Sequence, residues 1–179
     1  MAGPPLMSWQ RRGGPAMTKV LVAYGSRRGS TREIAEWVAR VLVEEGMDAD
    51  VRDAAEVREV GDYDAVVLGG AIYFGRWHRH TRALVRRCAR QLAERPVWLF
   101  SSGPLQTIGD RDAPPPDAAE RARRRLGAME NVVFGGCLRA DARGFPAATM
   151  ARTAAGDFRD PERVRAWARD IAYDLKASI

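Results

Sequence analysis

The chain has 179 residues, 46% of them hydrophobic and 29% charged, which is the size and composition of one globular domain with a sizeable core. Because no apolar run approaches the roughly 20 residues that a membrane span requires, no membrane span is expected. The net charge of +6 would suit a nucleic-acid partner, but the basic residues are spread along most of the chain beside 23 acidic ones and no nucleic-acid-binding motif occurs, so no such partner is expected.

The cysteines and the first residues bear on compartment and domain organisation. Cys88 and Cys137 lie in different predicted elements and form no CxxC pair, which is typical of small buried residues in a reducing cytosol. Residues 1–17 are rich in Gly and Pro and lack the apolar core of a signal peptide. They are predicted to be a disordered extension, with Met17 as an alternative start, and residues 18–179 to be one domain.

Strands and helices alternate along that domain. Apolar, β-branched runs predict strands covered on both faces, and apolar residues at helical spacing predict helices. In chain order the predicted elements are a strand at KVLVAY (19–24), a helix from Ser30 to about Gly46, an edge strand at DADVRDA (48–54), a strand at YDAVVLGG (63–70), a helix over 77–93, a strand at RPVWLFSS (95–102), a helix over 117–127, a strand at NVVFGGCL (131–138) and a helix from about Glu162 to Lys176. This order predicts an α/β fold with a doubly wound, five-stranded parallel sheet and helices on both faces.

The turn after the first strand is equipped to hold an anion. It leads into a helix N-terminus, whose unpaired N–H groups and dipole favour negative charge. Its glycines let the backbone approach a ligand closely, its hydroxyls can donate hydrogen bonds, and its arginines supply positive charge. These residues are Gly25, Ser26, Arg27, Arg28, Gly29, Ser30, Thr31 and Arg32. A capping box of Ser30 with Glu33 would explain that serine alone. The turn is therefore predicted to bind phosphate, although neither GxGxxG nor GxxxxGK[ST] is present.

Two more loops are expected beside this turn. Ligands of doubly wound sheets bind beyond the carboxyl ends of the strands, where the strand order reverses. With strand order 2-1-3-4-5, the first, third and fourth predicted strands are neighbours. Loops 25–31, 70–78 and 101–106 should therefore line one crevice.

The residues of these loops resemble a known family. SRRGST (26–31) resembles the flavodoxin phosphate loop, commonly written [ST]-x-T-G-x-T, with Arg28 where flavodoxins usually have Thr. GGAIYFGRW resembles the second loop of that superfamily, and the order of elements agrees over 18–177. Within it, the chain is most similar to bacterial flavodoxin-domain proteins related to menaquinone-dependent protoporphyrinogen oxidase, on the stretches GSTREIA, GGAIYFGRWH, VWLFSSGPL and GDFRDPERVRAWARDIA. The resemblance implies a flavodoxin-like fold and FMN as the cofactor.

The resemblance also implies which residues hold the FMN. They are Ser26, Arg27, Arg28, Gly29, Ser30 and Thr31 for the phosphate, Ala71, Ile72, Tyr73, Phe74 and Gly75 around the isoalloxazine, and Ser101, Ser102 and Gly103 at its pyrimidine edge. Tyr73 or Phe74 would stack on the ring, with burial in the core as the alternative for Phe74. For 101–103 the alternative is a plain loop.

Two histidines follow the second loop. His78 is the candidate catalytic residue, donating a proton or contacting a substrate, with an ordinary surface histidine as the alternative. His78 and His80 stand two positions apart at a helix start, so they are expected to point in different directions and to share no metal.

Other segments could shape access to a substrate. Arg76, Arg79 and Arg82 would pair with propionates or form a solvated helix face. Segments 104–117 and 139–160 are long for connections in a compact domain, and such loops are often lids.

Together these features predict a cytoplasmic FMN-dependent oxidoreductase. It would pass electrons between a redox partner protein and a small-molecule organic acceptor, with quinones and porphyrinogens as candidates. No catalytic triad or metal site is needed for this function, because the flavin carries the redox chemistry itself. One alternative is a flavodoxin-type electron carrier without its own substrate, although typical flavodoxins are acidic and this chain is basic. Another is a flavin-free binding module. The oligomeric state stays open.

Overall fold

The computed structural model describes residues 17–27, 29–103, 114–138 and 156–178. Its strands are β1 (Lys19–Gly25), β2 (Asp48–Asp53), β3 (Ala65–Tyr73), β4 (Arg76–Trp77), β5 (Val97–Gly103), β6 (Glu130–Gly135), β7 (Cys137–Leu138) and β8 (Gly156–Asp157). Its helices are α1 (Ser30–Glu44), α2 (Arg79–Arg87), α3 (Ala89–Ala93), α4 (Asp117–Leu126) and α5 (Pro161–Ala177). The predicted disordered extension, apart from Met17, lies outside the described residues.

Five strands form one parallel sheet in the order β2-β1-β3-β5-β6. The predicted order 2-1-3-4-5 is confirmed, because the fourth and fifth predicted strands are β5 and β6. From β1 the chain turns to one side for β2 and then to the other side for β3. The point where the strand order reverses therefore lies between β1 and β3, at the end of the strand that precedes loop 25–31.

Helices cover both faces of the sheet because successive strand residues point to opposite sides. Val20 and Val22 of β1 pack in the core with α1 and α5, whereas Leu21 and Ala23 pack in the core with α2, α3 and α4. Burial on both faces explains why these strands read as continuous apolar runs rather than alternating ones.

The helix predicted over 77–93 is instead two helices, divided at Cys88. The Cys88 thiol donates to the carbonyl of Arg58, with an S···O distance of 3.3 Å. The guanidinium of Arg87 donates to the carbonyls of Ala54 and Val57. These contacts are made to a turn some 30 residues earlier in the chain, so local helical spacing does not reveal them.

The strand predicted at 131–138 is also divided. β6 ends at Gly135, and the N–H of Gly136 donates to the carbonyl of Gly103 at 2.8 Å. Cys137 then pairs antiparallel with Asp157, so that β7 and β8 form a separate two-stranded ribbon. None of the helices in the described ranges combines the length and apolarity needed to cross a bilayer.

Candidate functional site

The loop after β1 turns directly into α1. Gly29 is the N-cap residue and has a φ of 86°, a left-handed conformation that glycine adopts without strain. The N–H of Gly29 donates to the Ser26 hydroxyl at 3.2 Å. No side chain caps α1, so the capping box of Ser30 with Glu33, the alternative explanation of that serine, is not formed. The first turn of α1 thus keeps N–H groups without a capping side chain, as anion-binding helix ends do.

The arginines in and beside this loop differ in whether a carboxylate neutralises them. Arg32 pairs with Glu36 on the surface of α1, with an N···O distance of 2.8 Å. Arg27 is exposed and has no carboxylate partner among the described residues, while its guanidinium lies 5.8 Å from the ring centroid of Tyr73. Arg28 lies outside the described residues. Among the loop residues that the structure describes, Arg27 is therefore the cation available to bind an anion.

The second loop is a tight hairpin between β3 and β4. Tyr73 pairs with Arg76 across it, and the two central residues, Phe74 and Gly75, have φ values of 50° and 69°. Positive φ at both positions is the type I′ turn of short hairpins, and it is unusual for phenylalanine. Phe74 is 77% exposed, so the alternative of a buried packing residue is wrong. The turn instead presents an aromatic ring to solvent beside the sheet edge.

Direct contacts join the three loops. The Tyr73 hydroxyl accepts the N–H of Arg27 at 3.2 Å, which connects the first loop to the second. Ser102 lies beside Ala71 in the register of β3 and β5, and a Cβ added at Gly103 would lie 3.1 Å from the Cβ of Ile72. The structure therefore brings 25–27, Gly29, 71–75 and 101–103 together at one edge of the sheet.

Three hydroxyls at this edge are buried and have no hydrogen-bond partner among the described residues. They belong to Thr31 on the first turn of α1 and to Ser101 and Ser102 at the end of β5. A buried hydroxyl left unpaired costs about 1–3 kcal/mol, and such groups are rare in native proteins. A bound ligand with several polar atoms would supply the missing partners. The residues present therefore fit a phosphate-bearing cofactor with a polar ring edge.

His78 is placed differently from what the sequence suggests. It is only 4% exposed and caps α2, its Nδ1 accepting the N–H of His80 at 3.4 Å, so the surface alternative is wrong. The rings of His78 and His80 meet edge to face with centroids 4.8 Å apart, rather than pointing in different directions. A Cβ added at Gly25 would lie 2.8 Å from His78 Nδ1, which shows how closely α2 approaches the end of β1.

Burial lowers the pKa of His78 to about 4, and the neighbouring charges of His80 and Arg27 act in the same direction. The imidazole is therefore neutral at pH 7. Because Nδ1 accepts a hydrogen bond, the proton is assigned to Nε2. Any proton that His78 gives at neutral pH would be this Nε2 proton and not that of an imidazolium.

This assignment predicts a pH-dependent stability. The unfolded chain protonates His78 near pH 6.5 and the native state only near pH 4, so the unfolded state binds more protons as the pH falls. Protonation of His78 should therefore lower the free energy of unfolding of the wild type by about 2 kcal/mol between pH 7 and pH 5. His78→Asn keeps an acceptor for the cap and should remove that part of the slope. Urea unfolding of both proteins across this range measures it, and identical slopes would refute the assignment.

Sequence reasoning missed Thr81. Its hydroxyl donates to the carbonyl of Gly69 at 3.0 Å, and a Cβ added at Gly25 would lie 2.3 Å from it. It thereby fixes the N-terminal end of α2 against the ends of β1 and β3. The sequence gives no local signal for this role, since the contact depends on how α2 docks.

The remaining candidates are more scattered. Arg76, Arg79 and Arg82 are exposed and have no carboxylate partner among the described residues. The expected access loops lie outside the described residues over 104–113 and 139–155. In the described part of the chain, no three His, Cys, Asp or Glu side chains come together as a metal site would need.

Comparison with known proteins agrees with this geometry. A family model described as "Flavodoxin domain" matches residues 21–153. Protoporphyrinogen IX dehydrogenase [quinone] from Escherichia coli (strain K12) is 35% identical over 85 residues, 46% of this chain and 47% of that protein. The match thus spans about half the length of this curated relative.

Solved structures share the fold. A flavodoxin from the domain Archaea superposes with a TM-score of 0.59 and 14% identity, over 88% of this chain and 99% of that one. The rubredoxin oxygen:oxidoreductase of Desulfovibrio gigas superposes with a TM-score of 0.64 and 14% identity, over 90% of this chain and 37% of that one. At such low identity these likenesses bear on the fold alone.

Proposed function

The chain belongs to the flavodoxin domain family, for which FMN is the implied cofactor, and from this premise we propose that it is an FMN-dependent oxidoreductase with an organic electron acceptor. The observation that carries the proposal is the group of buried, unpartnered hydroxyls of Thr31, Ser101 and Ser102 at the carboxyl edge of the sheet. FMN offers a phosphate and a polar ring edge as partners for them. The flavin, once bound, supplies the electron-transfer chemistry, and the protein binds, orients and shields it.

We assign the phosphate to the first loop. Ser26, Arg27, Arg28, Gly29, Ser30 and Thr31 would hold it. The uncapped first turn of α1, the φ of 86° at Gly29 and the unpaired cation of Arg27 support this assignment. The phosphate would then lie at the end of a helix, where the dipole favours negative charge.

We assign the isoalloxazine to the other two loops. The ring would lie between Ala71, Ile72, Tyr73, Phe74 and Gly75, with its pyrimidine edge at Ser101, Ser102 and Gly103. The exposure of Phe74 supports it as the stacking residue, while the ring of Tyr73 is already engaged by Arg27. His78, buried and neutral behind the second loop, would act by donating its Nε2 proton or by supporting the hairpin.

The organic substrate is proposed to be a small molecule that carries negative charge. The curated relative is named for protoporphyrinogen IX and quinone, which makes these compound classes the first to test. Arg79 and Arg82 lie three residues apart on one exposed face of α2, and Arg76 lies on β4, three residues before the start of that helix. Such a row of cations would attract the carboxylates of a porphyrinogen, which would give its electrons to the flavin, with a quinone as the acceptor. Cytoplasmic action completes the proposal, and a reductase or another redox protein would be the electron donor for a quinone alone.

A flavodoxin-type electron carrier is the second candidate. The dehydrogenase match covers about half of its relative, so the enzymatic activity of that relative is not carried by its whole length here. A carrier would have no substrate of its own and would turn over only with reductase and acceptor proteins.

Turnover of the FMN-loaded protein with a small-molecule electron donor and a small-molecule acceptor, without partner proteins, separates the two candidates. An enzyme should oxidise a porphyrinogen with a quinone as the acceptor and should show saturation, and Arg79→Gln/Arg82→Gln should raise KM for a carboxylate-bearing substrate several-fold with little change in kcat. Arg121→Gln/Arg125→Gln on α4 removes the same charge away from the site and should leave both constants unchanged. Turnover only in the presence of partner proteins would instead select the carrier.

A further inference from the structure

Arg159 sits in the GDFRD stretch that precedes α5 and makes contacts unlike those of an ordinary surface arginine. Its side chain is only 10% exposed, and its guanidinium holds Asp157 with two parallel bonds, Nε to Oδ1 at 2.7 Å and Nη2 to Oδ2 at 2.6 Å. Its third nitrogen, Nη1, pairs with Glu33 on the first turn of α1. The guanidinium carbon lies 5.1 Å from the ring centroid of Trp37. These bonds raise the pKa of Arg159 further above its usual range, so it stays charged.

The backbone around Arg159 is held on both sides. The N–H of Phe158 donates to the carbonyl of Gly136 at 3.0 Å, and a Cβ added at Gly135 would lie 1.9 Å from the carbonyl oxygen of Phe158. Asp160 caps α5 by accepting the N–H groups of Glu162 and Arg163 at 3.1 Å. The guanidinium is therefore presented to α1 from a fixed position at the end of β6.

Glu33 is the carboxylate nearest in sequence to the proposed phosphate site. It lies two residues beyond Thr31, and its N–H donates to the carbonyl of Gly29 at 3.0 Å. A carboxylate on the first turn of a helix competes with any other anion for the positive potential there. Among the described residues its side chain pairs with Arg159 alone.

We propose that Arg159 is a positioning residue for the phosphate end of the cofactor site: it turns the Glu33 carboxylate away from the first loop and neutralises it, so that the helix potential is left for the phosphate. This inference rests on the proposed function, since it concerns the same site. It differs from a purely structural role because it depends on the charge of Glu33.

The test compares FMN with riboflavin, which has the same ring system but no phosphate. Arg159→Gln is expected to weaken FMN binding about fivefold, the scale of a charge at a helix terminus, and to leave riboflavin binding unchanged. Adding Glu33→Gln should restore FMN affinity, and Glu33→Gln alone should leave it equal to wild type or tighter. Lys176→Gln is the matched control, because it breaks the 2.7 Å ion pair of α5 with Glu45 at the opposite end of α1.

Fluorescence titration of each apoprotein with both flavins gives the result. Unchanged FMN affinity in Arg159→Gln, an equal loss for riboflavin, or no restoration by Glu33→Gln would each overturn the inference. If Arg159→Gln does not fold, Glu33→Gln decides: weaker binding of FMN overturns the inference, and equal or tighter binding with unchanged riboflavin affinity supports it. Failure of the wild type to bind FMN would instead remove the proposed function.

Discussion

Thr31→Val is expected to weaken FMN binding by about 30-fold while leaving the apoprotein at least as stable as wild type. The loss follows from removing a hydroxyl that donates to a charged phosphate, a bond worth about 1.5–3 kcal/mol. The apoprotein loses nothing because the Thr31 hydroxyl is buried and has no partner among the described residues. Valine has nearly the same shape and fills the site without an unpaired polar atom.

Thr81→Val is the matched control for this prediction. Thr81 is equally buried, but its hydroxyl donates to the carbonyl of Gly69 at 3.0 Å. Its replacement should destabilise the apoprotein by about 1–2 kcal/mol because a buried carbonyl loses its donor. Urea unfolding and FMN titration of both variants give the two numbers. A Thr31→Val protein that binds FMN like wild type, or that is clearly less stable, would contradict the assignment of Thr31 to the phosphate.

Gly69→Ala is expected to destabilise the protein by about 3 kcal/mol, the upper part of the range for overpacked cores. Gly69 lies beside Phe100 in the register of β3 and β5, and an added Cβ would lie 2.0 Å from the ring carbon Cζ. The ring cannot move aside, because it is fully buried and packs against Phe134 and Trp167 with centroid distances of 6.1 Å and 6.0 Å. The methyl group must therefore displace a strand or the aromatic cluster.

Gly61→Ala serves as the control for Gly69→Ala. An added Cβ at Gly61 meets only the amide nitrogen of Gln91, at 3.8 Å, which is ordinary contact. The two variants carry the same chemical change, so chain entropy acts similarly in both and the difference reports the clash. Urea unfolding of both variants measures the difference. If the midpoints of the two variants fall by the same amount, the ring of Phe100 moves aside more easily than its packing indicates.

The sequence was informative wherever the physical cause is local. Apolar runs such as those at β1 and β3 predict buried strands, and their alternation with helices predicts the parallel sheet, whereas the strand order 2-1-3-4-5 is that of the flavodoxin-like fold. The first loop could be recognised because glycines and hydroxyls at a strand-to-helix turn have few other uses. The fold and the position of the site follow from these two observations.

Contacts between distant parts of the chain could not be predicted in the same way. The burial of His78 depends on the docking of α2 against Gly25, and the break at Cys88 depends on a turn 30 residues earlier. The pairing of Arg159 with Glu33 joins residues separated by 126 positions. A single sequence shows that such residues are charged or polar, and only the folded structure shows their partners.

Binding of FMN at the carboxyl edge of the sheet is tested by titrating the flavin-free protein with FMN and measuring the quenching of flavin fluorescence. Saturation is expected at one FMN per chain, and riboflavin should bind clearly more weakly because it lacks the phosphate. A protein that quenches neither flavin would show that the unpaired hydroxyls of Thr31, Ser101 and Ser102 serve some other ligand, and would contradict the assignment of this edge as a flavin site.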